Sequence, residues 1–208
     1  MKGWELVDKA YLYIILTRTN TIISRLIYLV THDEYTHAAL SLDKDLQEMY
    51  SFGRKYAHNP FIGRFKHEHL EEGLYKLAKH LPGVILQVEV PLENYAEARE
   101  LIEQFIANHS HYKYNVRGLL YGLLNRPTTR DDRFLCSQFV YYVLYESGIA
   151  DFRTPANLVR PADFLGLDAQ IIYEGDLKEL VVGHEGGYPI RVRLYRWVRK
   201  RLSFTKAG

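Results

Sequence analysis

The 208-residue chain holds one cysteine, Cys136. A lone thiol excludes an internal disulfide and every metal motif built on paired cysteines. No run approaches the roughly eighteen apolar residues of a membrane-spanning helix. The first residues, Met1-Lys2-Gly3-Trp4-Glu5, bring acids early at Glu5 and Asp8. They offer no small-residue cleavage site, so no signal peptide is expected and the reading is cytoplasmic, with a reduced cysteine. Internal repeats, low-complexity tracts and a convincing linker are also missing. A single domain over 1–208 follows, long enough to bury a core.

Methionine is scarce, at two, whereas tyrosine occurs seventeen times. Many tyrosines suit a core or cleft whose rings pack while the hydroxyls find polar partners. The formal net charge of +2 is unevenly spread. From Gly183 onward Arg191, Arg193, Arg196, Arg199, Lys200, Arg201 and Lys206 face one acid, Glu185. An alternating segment at Pro189–Val198 reads as a strand with a solvated charged face. Its alternative is weak contact with an anionic membrane surface, since Trp197 and Tyr195 stand among the arginines. No nucleic-acid motif is present, and none is expected to bind.

Hydrophobic periodicity gives a mixed α+β chain. Strands are expected at Tyr11–Thr17, Thr36–Leu42, Leu46–Phe52, Val84–Val90, Gln170–Tyr173 and Leu180–Val182. The second and third flank Asp43-Lys44-Asp45 as a hairpin. Helices are expected after Thr19-Asn20-Thr21 to about Val30, near Glu71–His80, from Tyr95 to Asn108, and from Leu135 to Glu146, ended by Gly148. Residues 53–82 otherwise read as polar and irregular. Gly118–Gly122 lacks the setting of a phosphate loop and reads as close packing. His67-Glu68-His69 and His109-Ser110-His111 invite a metal reading. Histidines two apart share a face only on a strand, and no third ligand stands at a useful spacing. No metal or cofactor is expected.

Cys136 sits in Phe134-Leu135-Cys136-Ser137-Gln138-Phe139-Val140, where a helix begins. Helix N-termini present unpaired N–H groups and a partial positive charge, which favour a thiolate and can hold an oxyanion. His37, 99 residues upstream in Thr36-His37-Ala38-Ala39-Leu40, is the candidate base. The bland alternative is a packed cysteine and a structural histidine.

Thr36-His37-Ala38-Ala39-Leu40 followed by Phe134-Leu135-Cys136-Ser137-Gln138-Phe139-Val140 resembles the circularly permuted NlpC-like papain-fold hydrolases. That family includes the bacterial YiiX-type branch and the lecithin–retinol acyltransferase group. The resemblance covers roughly residues 11–165. It implies a papain-like fold, a small antiparallel sheet packed against the cysteine helix, with Cys136 as nucleophile and His37 as base. The implied chemistry is hydrolysis or acyl transfer at an amide or ester, on a small-molecule, peptide or lipid substrate. It also implies a tyrosine some twenty residues before the cysteine. Tyr112 and Tyr114 match, with Tyr114 preferred as a donor to the substrate carbonyl, although an ordinary core aromatic is the alternative.

The resemblance further implies a polar residue on the next strand to orient His37. At the acyltransferase-like spacing of twelve stands Met49, which cannot do so. A three-residue hairpin loop would set Ser51 across from His37 and Glu48 on the opposite face. A two-residue loop would return Glu48 to the correct face but about 13 Å away. Ser51 is thus better placed and Glu48 has the better chemistry, so the third member stays open among Ser51, Glu48 and none. The expectation is that no acidic residue contacts His37 as directly as in a full triad, and that Ser51, a backbone carbonyl or water takes that role. Met49 leaves a rival open: a non-catalytic ligand- or lipid-binding domain with a degraded triad.

Overall fold

The computed structural model describes residues 8–19, 22–54, 63–128 and 132–182. Its strands are β1 (Lys9–Thr17), β2 (His37–Ser41), β3 (Met49–Arg54), β4 (Gly63–Glu68), β5 (Pro82–Pro91), β6 (Lys113–Tyr114), β7 (Arg133–Phe134) and β8 (Gln170–Asp176). Its helices are α1 (Ile22–Thr31), α2 (Gly73–Leu77), α3 (Leu92–Ala107), α4 (Val116–Leu123), α5 (Cys136–Glu146) and α6 (Lys178–Val182). The class is α+β. Six strands form one antiparallel sheet in the order β4-β3-β2-β1-β5-β8, and β6 and β7 make a short parallel pair.

β1 is the spine because both of its faces are apolar. Leu12, Ile14 and Leu16 bury against one layer, and Tyr13 and Ile15 against the other. The first layer carries α3 and α5, whose Ala98, Ile102, Phe105, Phe139, Val140, Val143 and Leu144 complete the larger core. The second is a smaller cluster in which Tyr75 of α2, Leu81 and Leu177 cover Ile15, Ala39, Met49 and Ile85. Alternation along one strand thus places neighbouring residues in different cores.

Phenylalanines lock α5 to the sheet. Phe105 meets Phe134 at 5.2 Å and Phe139 at 5.1 Å, both edge to face, and Phe52 meets Phe134 at 5.2 Å. Such pairs contribute about 0.5–1.5 kcal/mol each beyond burial. α5 ends as its sequence indicates: Gly148 takes φ +67° and its N–H donates to the Tyr145 carbonyl at 3.0 Å.

The start of α5 is fixed by side-chain amides. Gln138 Oε1 accepts from the Leu135 N–H at 2.9 Å and from Asn115 Nδ2 at 3.0 Å. Asn115 Oδ1 in turn accepts from the Gly118 N–H at 2.8 Å, capping α4. The glycine pair does permit close packing, since a Cβ on Gly118 would lie 2.3 Å from Asn115 Nδ2.

Three sequence expectations change. The stretch 53–82 is not irregular throughout, because it holds β4, an edge strand. Leu180–Val182 is not a strand: Asp176 accepts from the Lys178 N–H at 3.1 Å and the chain turns into α6. The β2–β3 connection is longer than three residues. Asp43 accepts from the Gln47 and Glu48 N–H groups, which holds the loop open to Glu48 and leaves Leu46 at φ +58°. The segment Pro189–Val198 and the basic C-terminal end lie outside the described residues. Among those described, no helix is long and apolar enough to cross a membrane.

Replacing Gln138 with Leu keeps its volume but strands the Leu135 N–H and the Asn115 amide in a buried place. We expect a loss of about 2–4 kcal/mol, the cost of two unpaired buried donors. Equilibrium denaturation in guanidinium would read it. A loss no larger than the roughly 0.5 kcal/mol of an ordinary surface substitution would show that the amide pair does not hold the helix start.

Candidate active site

Three elements converge at one end of the sheet. β7 delivers the chain into α5, whose first residue is Cys136. β2 begins at His37, paired with Thr17 of β1. β4 ends at Glu68. The His37 ring and the Cys136 sulfur lie close enough to shift each other's ionisation. Its other side is held by Glu68, with His37 Nε2 at 3.1 Å from Glu68 Oε2. That leaves Nδ1 as the nitrogen for the thiol. The order is sulfur, imidazole, carboxylate.

Glu68 is buried to 2% side-chain exposure, and its carboxylate is fully engaged. Oε2 also accepts from the Tyr75 hydroxyl at 2.8 Å, and Oε1 takes Lys66 Nζ at 2.7 Å. The Tyr75 ring meets the His37 ring at 6.2 Å, near edge to face. A charge taken out of water needs such partners, because an isolated buried carboxylate would neutralise instead.

The electrostatics follow. Burial pushes the Glu68 carboxyl up, but His37 and Lys66 more than offset it and hold it well below the ordinary carboxylate range. Burial pushes His37 down, yet Glu68 and the Cys136 sulfur reverse that and raise it to about 10. Burial opposes the Cys136 thiolate, while His37 and the N–H groups of Ala38 and Ser137 favour it, for a net lowering from 9.0. Tyr75 is raised well above 10.0, first by burial and then by Glu68, so it stays a neutral donor. Both shifts run in the direction that favours a thiolate–imidazolium pair.

The pair opens onto a cleft of about 970 Å³ of empty space, its mouth included. Ile27 of α1, Leu119 and Leu123 of α4, and Leu135, Val159 and Pro161 give it apolar walls. Arg160 lines the same cleft, 3.7 Å from Asp33. The Ser137 hydroxyl donates to the Val159 carbonyl at 2.6 Å, tying the first turn of α5 to this wall.

Cys136 and His37 are brought together as expected, and Tyr114 lines the cleft. Its register partner is Phe134, two residues before the cysteine, and Gly63 leaves room for its ring, since a Cβ there would lie 2.6 Å from it. Tyr112 instead packs on Phe105 at 4.4 Å, half-buried against the larger core.

The expected orienters do not serve. Glu48 pairs with Arg99 at 3.2 Å on the surface. Ser51 is buried without a hydrogen-bond partner among the described residues. Met49 is a core side chain of the second layer. The expectation that no acidic residue contacts His37 as directly as in a full triad is overturned by Glu68, 3.1 Å from His37 Nε2. The observed register pairs Leu40 with Tyr50 and Ser41 with Met49, two residues away from the three-residue-loop register. Glu68 had been visible only as the centre of His67-Glu68-His69. His67 stacks on Tyr50 at 4.9 Å and His69 packs on His67 at 4.2 Å, so the three side chains do not converge.

No family model, no curated protein and no solved structure matches the chain.

Glu68→Gln tests the electrostatics through stability. The folded carboxyl is held below its ordinary value of 4.5, so its stabilisation is complete above pH 4.5. As pH falls through 4.5 the unfolded chain binds a proton that the folded chain refuses, and stability declines until the folded carboxyl protonates too. We expect thermal melts of the wild type to lose Tm more steeply below pH 4.5 than those of Glu68→Gln. Parallel slopes would mean that Glu68 is not held ionised.

Proposed function

We propose that the protein is a cysteine-dependent hydrolase or acyltransferase of papain-like, permuted NlpC type, acting on an ester or amide carbonyl. The observation that carries this is the chain Cys136–His37–Glu68 at the start of a helix. The order along the chain, histidine before cysteine, agrees with the permuted motif pair. The rival binding-domain reading drew on the lack of an orienting residue at Met49, and Glu68 removes that ground.

The chemistry uses groups already in place. The Cys136 thiolate attacks the carbonyl carbon and the pair of electrons moves onto its oxygen. N–H groups at the start of α5 stabilise that oxyanion, with the Tyr114 hydroxyl as a further donor from the cleft wall. Collapse expels the leaving amine or alcohol, which takes the proton from His37, and an acyl-thioester remains. His37, now neutral, removes a proton from water or from an acceptor alcohol or amine, which attacks the thioester. The acid or transferred acyl product leaves, and the thiolate–imidazolium pair is restored. Glu68 keeps the ring oriented and stabilises its cationic form throughout. The apolar walls of the cleft suit the hydrocarbon of an acyl group.

The test is covalent. Incubation with a panel of activated acyl esters and amides should add the acyl mass to the Cys136 peptide in wild type. Cys136→Ala and His37→Ala should fold normally and lose turnover by about a thousandfold or more. Near-wild-type turnover in either variant would refute the assignment.

A further inference from the structure

Lys66 is not required by the mechanism above, yet its placement is specific. It stands on β4 with its ammonium on Glu68 Oε1 at 2.7 Å, and its side chain is 23% exposed at the cleft. Its stem crosses the face of Gly53 on β3, where a Cβ would lie 2.6 Å from Lys66 Cε and 3.4 Å from Glu68 Oε1. Gly53 is not among the residues at positive φ, so its backbone does not demand glycine. The missing side chain makes room for the lysine.

The charges facing the Cys136–His37 pair can be counted by element. β4 contributes the Glu68 anion and the Lys66 cation, and α2 contributes neutral Tyr75. The N–H groups of Ala38 and Ser137 add to the forces that favour the thiolate. Arg160 lines the cleft but faces Asp33, and Tyr114 is an uncharged phenol of the wall. Without Lys66 the imidazolium would lie between two anions, the thiolate and Glu68. The second anion would oppose the first through a partly buried medium, where a unit charge a few ångströms away shifts an ionisation strongly. With Lys66 the four groups sum to zero.

We propose that Lys66 is a positioning and charge-balancing residue of this site, fixing Glu68 Oε1 and cancelling its charge so that Cys136 rests as the attacking thiolate. The proposal deepens the catalytic reading and rests on it.

The experiment is alkylation of Cys136 by iodoacetamide across pH 5–9, which needs no substrate. Wild type should alkylate rapidly at pH 6. Lys66→Met should slow the rate at pH 6 by about tenfold, the order expected for loss of one nearby charge. Its rate at high pH, where the thiolate forms anyway, should be unchanged. Lys66→Arg should alkylate like wild type. Removing both charges in Lys66→Met/Glu68→Gln should recover much of the pH 6 rate, which a purely structural role would not do. If Lys66→Met does not fold, Glu68→Gln against the double variant reads the same charge. Glu68→Gln keeps the cation without its anion and should alkylate faster, and equal rates overturn the proposal. A reactive wild type with an unaltered Lys66→Met profile overturns the role of Lys66 alone. A wild-type cysteine no more reactive at pH 6 than a free thiol overturns the catalytic reading, and this proposal with it.

Discussion

The carboxylate of Glu68 is the constraint around which this end of the molecule is arranged. A charge at 2% exposure is tolerable only if each oxygen is satisfied. Three different elements supply the donors: His37 from β2, Tyr75 from α2 and Lys66 from β4 itself. Meeting that demand explains features that otherwise look unrelated. α2 is only five residues long, yet it sits where Tyr75 seals the second core and reaches the carboxylate. β4 is an edge strand rich in charge, which suits an edge because it discourages pairing with another chain. Its inward face buries Glu68 while Phe65 joins the aromatic cluster on the other side.

The cysteine is positioned by a separate set of contacts on the opposite layer. The phenylalanine cluster fixes the body of α5, Gln138 and Asn115 fix its first turn, and Ser137 ties that turn to Val159. His37 is the point at which the two layers meet. It is the first residue of β2, so its ring is not confined to one face by flanking pairs on both sides. The two layers therefore have to be assembled together before sulfur, imidazole and carboxylate line up, which makes the site a product of the whole α+β arrangement.

Much of this was legible from residue types. β1 and β5 announced themselves by β-branched apolar runs, α3 by its amphipathic stripe, and α5 by its start at a cysteine motif and its stop at Gly148. Cys136 and His37 could be singled out because a candidate nucleophile and a candidate base each need a recognisable setting. Glu68 could not, for two physical reasons. β4 reads Gly63-Arg64-Phe65-Lys66-His67-Glu68, and its second face buries charge in place of hydrocarbon, so alternation carries no apolar signal. The Asp43-Lys44-Asp45 turn also suggests a ladder closed by a short loop. Asp43 instead gathers the N–H groups of Gln47 and Glu48, which lengthens the loop and shifts the register. The pairing of β2 with β3 covers only Leu40–Tyr50 and Ser41–Met49, and the polar site lies beyond its end. Counting along a hairpin could only test β3, and the orienting residue comes from the strand after it.

The resting charge state changes what His37 contributes. A histidine pushed up to about 10 beside a cysteine lowered from 9.0 favours the state in which the proton already sits on the ring. In the proposed chemistry its first task would then be to give that proton to the leaving group, and only after an acyl-thioester formed would it act as a base. Loss of the thiolate on acylation would remove one of the two anions that raise it. Its affinity for a proton would fall at that step, so the proton would be easier to surrender as the leaving group departed. Glu68 would remain and favour return of a proton to the ring when water or an acceptor attacked. The same carboxylate that the fold works to bury would thus set how far the proton affinity of His37 could fall during the proposed turnover.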